Sequence, residues 1–176
     1  MASWLERSKA IWGRIRGQRP PKDIYTDLRS VALMVDLSTL QTPAGEPWTG
    51  AGLAMMEIGM ERAVASIVAI ADGTVSMYLS TGGGVIGAGE HEAVRAEAKR
   101  FRTVLADSRS LLSRATDFPL PEPGEVRFQA RIGGDGFSAA ATESALRGGR
   151  HPLSPLYAAG QDLLTEIRLA SDPVEG

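Results

Sequence analysis

Two short stretches hold the side chains best suited to acid–base chemistry: Glu90, His91 and Glu92 in GAGEHEAVR, and Arg147, Arg150 and His151 in LRGGRHPLS. A histidine beside a carboxylate is a usable general base, because imidazole titrates near neutrality and the acid fixes its tautomer. Each stretch directly precedes an expected helix. If both helix starts met at one edge of a sheet, His91, His151, Glu90, Glu92, Arg147 and Arg150 would line one cleft. The competing reading makes Glu90, His91 and Glu92 solvated first-turn residues and places Arg150 and His151 in a polar loop. Arg147, Arg150 and His151 are also the candidate anion site, since they precede the free amides of a helix beginning near Ser154.

Other chemistries find less material. Consecutive helical residues point apart, so EHE cannot chelate one ion, and H-E-x-x-H is absent. With two histidines and no cysteine, thiolate catalysis, disulfides and cysteine-based zinc sites are excluded, and neither a metal nor a cofactor is expected. Gly136-Phe137-Ser138-Ala139-Ala140 is not a nucleophile elbow. Gly82, Gly84 and Gly87 formally satisfy G-x-G-x-x-G, with Asp107 twenty positions after the last glycine. In a dinucleotide site, however, that acid ends a second strand, whereas Asp107 lies inside a helical pattern. Glu90 and Glu92 in the first helical turn would repel a phosphate, and no Lys-Ser/Thr follows Gly89. The glycines therefore read as a turn at 81–84, a short strand over 85–88, and Gly89 leading into a helix.

These residues must be positioned by a chain of 176 residues, the size of one domain, with an ordinary soluble composition of 43% hydrophobic and 23% charged residues. No run of apolar residues is long enough to span a bilayer and no secretory signal is recognisable, so a cytoplasmic address is expected. Charge is uneven. Residues 1–22 carry six basic side chains and one acid, whereas the remainder carries 13 basic and 20 acidic groups, so a net of −7 sits behind a leader of +5. An acidic body argues against nucleic-acid binding.

The leader, residues 1–22, places Trp4, Leu5, Ile11, Trp12 and Ile15 on one face of a basic amphipathic helix, ended by Pro20-Pro21. Trp4, Ile11 and Trp12 are candidate contacts to the body, to a partner or to an anionic lipid surface. Residues 23–170 form one domain and 171–176 a flexible tail. Asp23 caps a helix carrying Ile24, Leu28, Val31, Ala32 and Val35, and residues 41–52 form a surface loop.

Strands are expected over 53–58 and 64–71, the second apolar on both faces as in a central strand. Asp72-Gly73 supplies a type I′ hairpin turn into a strand where Val75, Met77 and Leu79 face in and Ser76, Tyr78 and Ser80 face a wetter side. Val94, Ala98, Phe101, Leu105, Ser108 and Leu112 predict a long helix over 90–113, ended before Pro119, Pro121 and Pro123. A second hairpin turns inward at Val126, Phe128, Ala130 and Ile132 and outward at Arg127, Gln129 and Arg131, bends at 133–136 and returns over 137–142. The last helix starts with Ser154 as N-cap and Pro155 at its first position, with Leu156, Gly160, Leu163 and Ile167 on one face. The expected fold class is α+β: a mainly antiparallel sheet of about five strands with long helices packed on its face, preceded by an N-terminal helical segment.

The stretch ADGTVSMYLSTGGGVIGAGEHEAVR resembles a segment of small uncharacterised bacterial proteins in which a DG hairpin, a glycine triplet and GEH opening a helix follow one another. That resemblance implies no activity or site residues. The order strand pair, helix, strand pair, helix is similar to Roadblock or profilin-like domains, from which the glycine triplet and its short strand depart. This second resemblance implies dimerisation and protein partners. The favoured function is a non-enzymatic interaction or regulatory module of adaptor type that binds a protein partner or a second copy of itself, with Tyr78, Arg127 and Arg131 as exposed contacts. The alternatives are a small hydrolase or ligand-binding enzyme using the His/carboxylate cleft, and a peripheral membrane protein held weakly by its leader.

Overall fold

The strand expected over 64–71, which reads as apolar on both faces, lies inside the sheet, with helices above and below it. In the computed structural model, which describes residues 20–171 apart from Pro43 and Glu46, four helices and seven strands are present. The strands are β1 (Leu53–Gly59), β2 (Val64–Ile70), β3 (Val75–Leu79), β4 (Gly84–Ile86), β5 (Ser113–Arg114), β6 (Glu125–Ile132) and β7 (Asp135–Thr142). They form one antiparallel sheet in the order β4-β3-β2-β1-β6-β7-β5. The helices are α1 (Pro21–Leu33), α2 (Glu92–Asp107), α3 (Glu143–Arg147) and α4 (Ser154–Ser171). The sheet exceeds the expected count of about five strands: β4 answers to the short strand expected over 85–88, and the two-residue β5 at the opposite edge is too short to show any period. Residues 1–19 of the leader, with Trp4, Ile11 and Trp12, lie outside the described residues, while Pro21 and Lys22 belong to α1.

Alternation along the central strands sorts two cores. On one face Ala54, Met56, Ile67 and Ala69 meet Val94, Ala98, Phe101 and Leu105 of α2 and Leu156, Leu163 and Ile167 of α4. Gly160 of α4 admits the Met56 thioether and the Phe101 ring, which any larger residue would displace. On the other face Leu53, Met55, Val68, Ile70 and Tyr78 meet Ile24, Tyr25, Leu28, Ala32 and Leu33 of α1. The helix expected over 90–113 stops at Asp107. Its last expected turn becomes a 3₁₀ segment, Arg109–Leu111, from which Leu112 still reaches the core.

The second core corrects the expectations for four residues. Tyr78, expected on a wetter face, is 2% exposed and lies edge-on to Tyr25 with ring centroids 6.3 Å apart. Gln129 is fully buried. Arg127 is half-buried and pairs with Glu125, and Arg131 donates to the Leu33 carbonyl at the end of α1. The physical reason is α1 itself: it lies over the face that carries these polar side chains.

Capping and turns also differ in detail. Pro20 is the N-cap of α1 and Pro21 its first residue, where a missing N–H costs nothing, and Asp23 falls in the first turn instead of capping. Only Gly73 has positive φ in the β2–β3 turn, so this connection is a longer loop closed by Gly73 N–H to Ile70 O (3.1 Å) and Ile70 N–H to Thr74 O (2.9 Å). The two-residue turn with both positions at positive φ belongs instead to Gly133 and Gly134, between paired Ile132 and Asp135. Ser154 is the first residue of α4, and its buried hydroxyl donates to Leu146 O (2.9 Å) instead of capping.

Candidate functional site

The described residues of the loop expected over 41–52 lie between the Ile70–Ala71 end of β2 and α2. Gly50, at φ +82°, brings its backbone within van der Waals reach of the Arg102 carbonyl, and Ala51 N–H donates to that carbonyl at 3.1 Å. Arg102 answers with its own guanidinium: Nη1 donates to Thr49 O (2.9 Å) and Ala51 O (2.7 Å). Trp48 is half-buried, its ring edge packed over Gly52. Between this loop and α2 lies a cleft of about 370 Å³, at the small end of the size range of ligand pockets, with Ile70 and Ala98 among its apolar lining.

Three cations line it. Arg95, Lys99 and Arg102 stand at i, i+4 and i+7, which places them along one side of α2. Arg102 is 6% exposed, and burial pulls its guanidinium down from the ordinary value while Asp72 opposes the shift. Arg95 gives Nη1 to the carbonyls of Gly89 and Glu90, both at 2.8 Å. Lys99 is exposed, and none of the three forms a salt bridge with a carboxylate among the described residues. A buried guanidinium held only by carbonyls, beside two further cations and an indole, makes the cleft an electropositive seat.

Comparison with known protein families, with curated proteins and with solved structures gives no match.

The residues singled out in the sequence are dispersed. Gly89 leads into α2 hard against the Gly73 carbonyl, at the strand end marked by Ile70 and Leu53. By contrast, α4 follows Thr142 and α3, at the end where Glu125 pairs Thr142 and Glu143 N–H donates to Gly124 O, beside Gly59. His91 and His151 thus stand at opposite ends of the strands and share no cleft. The amides of Gly82, Glu90 and His91 donate to Leu79 O, Gly87 O and Ala88 O, so they serve the turn and the helix start. Glu92 is exposed in the first turn of α2. His151 accepts Leu153 N–H at Nδ1 (3.1 Å), which fixes it as part of the α4 entry, and Arg150 is exposed. No three His, Asp or Glu side chains gather as a metal site among the described residues, and none of their helices is long and apolar enough to cross a membrane.

Arg147 is committed to Glu143 (2.8 Å), which also accepts the Tyr157 hydroxyl at 2.8 Å. Partial burial raises the Glu143 carboxyl, but the bonds from Arg147 and Tyr157 outweigh it and hold the group below its usual range. A depressed folded-state value stabilises the fold above the unfolded value of about 4.3, and that contribution is lost as pH falls through the lower folded value. Glu143→Gln is therefore expected to unfold at lower urea than the parent at pH 7, with the gap closing as pH falls below about 4. Urea midpoints of both chains across that range check it.

The cationic stripe was visible as RAEAKRFR, yet basic residues at helical spacing ordinarily mark a solvated face. The signal that could have found it is Trp48 in a loop of prolines and glycines, long enough to fold back on a helix.

Proposed function

We propose that this chain is a non-catalytic binding module of regulatory or adaptor type, which works by engaging a partner and not by turning over a substrate. The observation that carries the reading is the separation of His91 and His151 to opposite ends of the strands, which leaves the rival His/carboxylate enzyme without an assembled acid–base pair. The remaining acids with shaped environments, Glu57 and Glu143, are held in ion pairs. The strand-pair and helix order that underlies the likeness to Roadblock-like domains favours a protein partner or a second copy as what is engaged.

The test is a panel of 4-nitrophenyl acetate, phosphate and glycosides, assayed with the parent chain and with His91→Ala/His151→Ala. No turnover that depends on either histidine is expected. Hydrolysis by the parent that disappears in the double variant would overturn the reading in favour of the enzyme.

A further inference from the structure

We propose that the cleft between the 41–52 loop and α2 is a binding site for a small phosphomonoester bearing a flat ring. The inference goes beyond the binding-module reading, adding a small ligand to the macromolecular partner proposed there. Charge comes first. Arg95, Lys99 and Arg102 bring three positive charges to one cleft, and Asp72, whose charge acts on Arg102, already accepts Thr74 N–H at Oδ1 (2.9 Å). Arg95 and Arg102 use Nη1 on backbone carbonyls, and their other N–H groups, like the Lys99 ammonium, make no hydrogen bond among the described residues. Such donors suit a dianionic head with three acceptor oxygens better than a single carboxylate, because charge-assisted bonds to phosphate are about twice as strong as neutral ones.

Shape and surface supply the second half. The cleft is larger than a phosphate group needs, and the rest of its lining is mostly apolar, with Trp48, Ile70 and Ala98, beside the two threonines Thr42 and Thr49. A half-buried indole beside guanidinium groups favours a planar ring, which gains contact area without losing rotamer freedom. The cleft is not the glycine turn, where the Gly82 amide donates to Leu79 O.

Phenyl phosphate, inorganic phosphate and benzoate separate the parts. With the full chain, calorimetry is expected to give phenyl phosphate at least about tenfold tighter than either of the others, one tenfold step being about 1.4 kcal/mol. Phenyl phosphate should change tryptophan emission in the parent and not in Trp48→Phe. Lys99→Gln should weaken binding about tenfold, the worth of one hydrogen bond to a charged group, while Lys22→Gln leaves it unchanged. No heat and no emission change with phenyl phosphate would overturn the site and leave the binding-module reading standing. Benzoate binding as tightly would overturn the dianion, and inorganic phosphate binding as tightly would overturn the ring. Release of phenol that Lys99→Gln abolishes would support the site and overturn the non-catalytic reading.

Discussion

Replacing Arg29 with methionine is expected to destabilise the protein by about 3–5 kcal/mol, because it strands a buried carboxylate. Glu57 sits in the middle of β1 with its side chain fully buried, and Arg29 reaches it from α1 with two bonds, Nε to Oε1 at 2.7 Å and Nη2 to Oε2 at 2.8 Å. Ser66 donates to the same carboxylate at 2.8 Å, and the Tyr25 and Gln129 side chains approach it at 3.4 Å. Arg29 continues outward to the Phe118 carbonyl at 2.7 Å, so the proline-rich segment is tied in as well. Burial, then the Glu57 charge, push the Tyr25 and Tyr78 hydroxyls above their usual range, so both stay neutral beside the carboxylate. Urea unfolding by linear extrapolation measures the loss, with an unchanged m-value if the two-state transition survives. The double variant Arg29→Met/Glu57→Met should recover much of it, since an apolar pair of similar volume often replaces a buried ion pair at little cost. A loss below about 1 kcal/mol in the single variant would mean that Glu57 finds water, as it would if α1 did not lie on the sheet.

That network also explains where the sequence misleads. Alternation in β3 and β6 correctly separates Val75 and Met77 from Ser76 and Tyr78, and Val126 and Phe128 from Arg127 and Gln129. Polar side chains on one face ordinarily mean solvent. Here they mean a helix that brings polar partners of its own, Tyr25 and Arg29, and a linear pattern cannot tell a wet face from a paired one. The long helix was legible because Val94, Ala98, Phe101 and Leu105 keep its period without help from tertiary structure. The short strand β4 was legible within two residues at each end as the one expected over 85–88, whereas β5 was not, because its two residues exist only through pairing with Ser138 and Phe137. The cationic cleft was half legible: the helix supplies the spacing of its charges, while the loop that turns a surface stripe into a cavity depends on long-range bonds from Arg102 to Thr49 and Ala51.

Within the glycine run, alanine substitutions are expected to divide sharply. Gly84→Ala and Gly89→Ala should each destabilise by about 3 kcal/mol or more, in the upper range for forced overpacking, and Gly83→Ala by about 1 kcal/mol. Gly84 has φ +147°, and a Cβ there would press on the Met77 carbonyl and lie 2.8 Å from the Tyr78 Cα, both backbone atoms of the neighbouring strand. Gly89 has ordinary φ but no room, since its Cβ would strike the Gly73 carbonyl at the β2–β3 turn. Gly83 is at φ +86° with nothing within 4 Å, so only the left-handed backbone is strained. Gly82 completes the arrangement: its Cβ position lies 3.1 Å from the Pro21 side chain, so the turn packs on the start of α1. Thermal melts should show Gly84→Ala and Gly89→Ala lowered by about 6–12 °C and Gly83→Ala by about 2–4 °C, on the usual scaling for chains of this size. A phosphate cradle would behave differently. Its glycines would be needed where the backbone meets a ligand, so alanine at the open Gly83 position would also abolish a stabilisation by added inorganic phosphate seen in the parent. Equal losses at positions 83, 84 and 89 would contradict the close backbone approach that distinguishes them here.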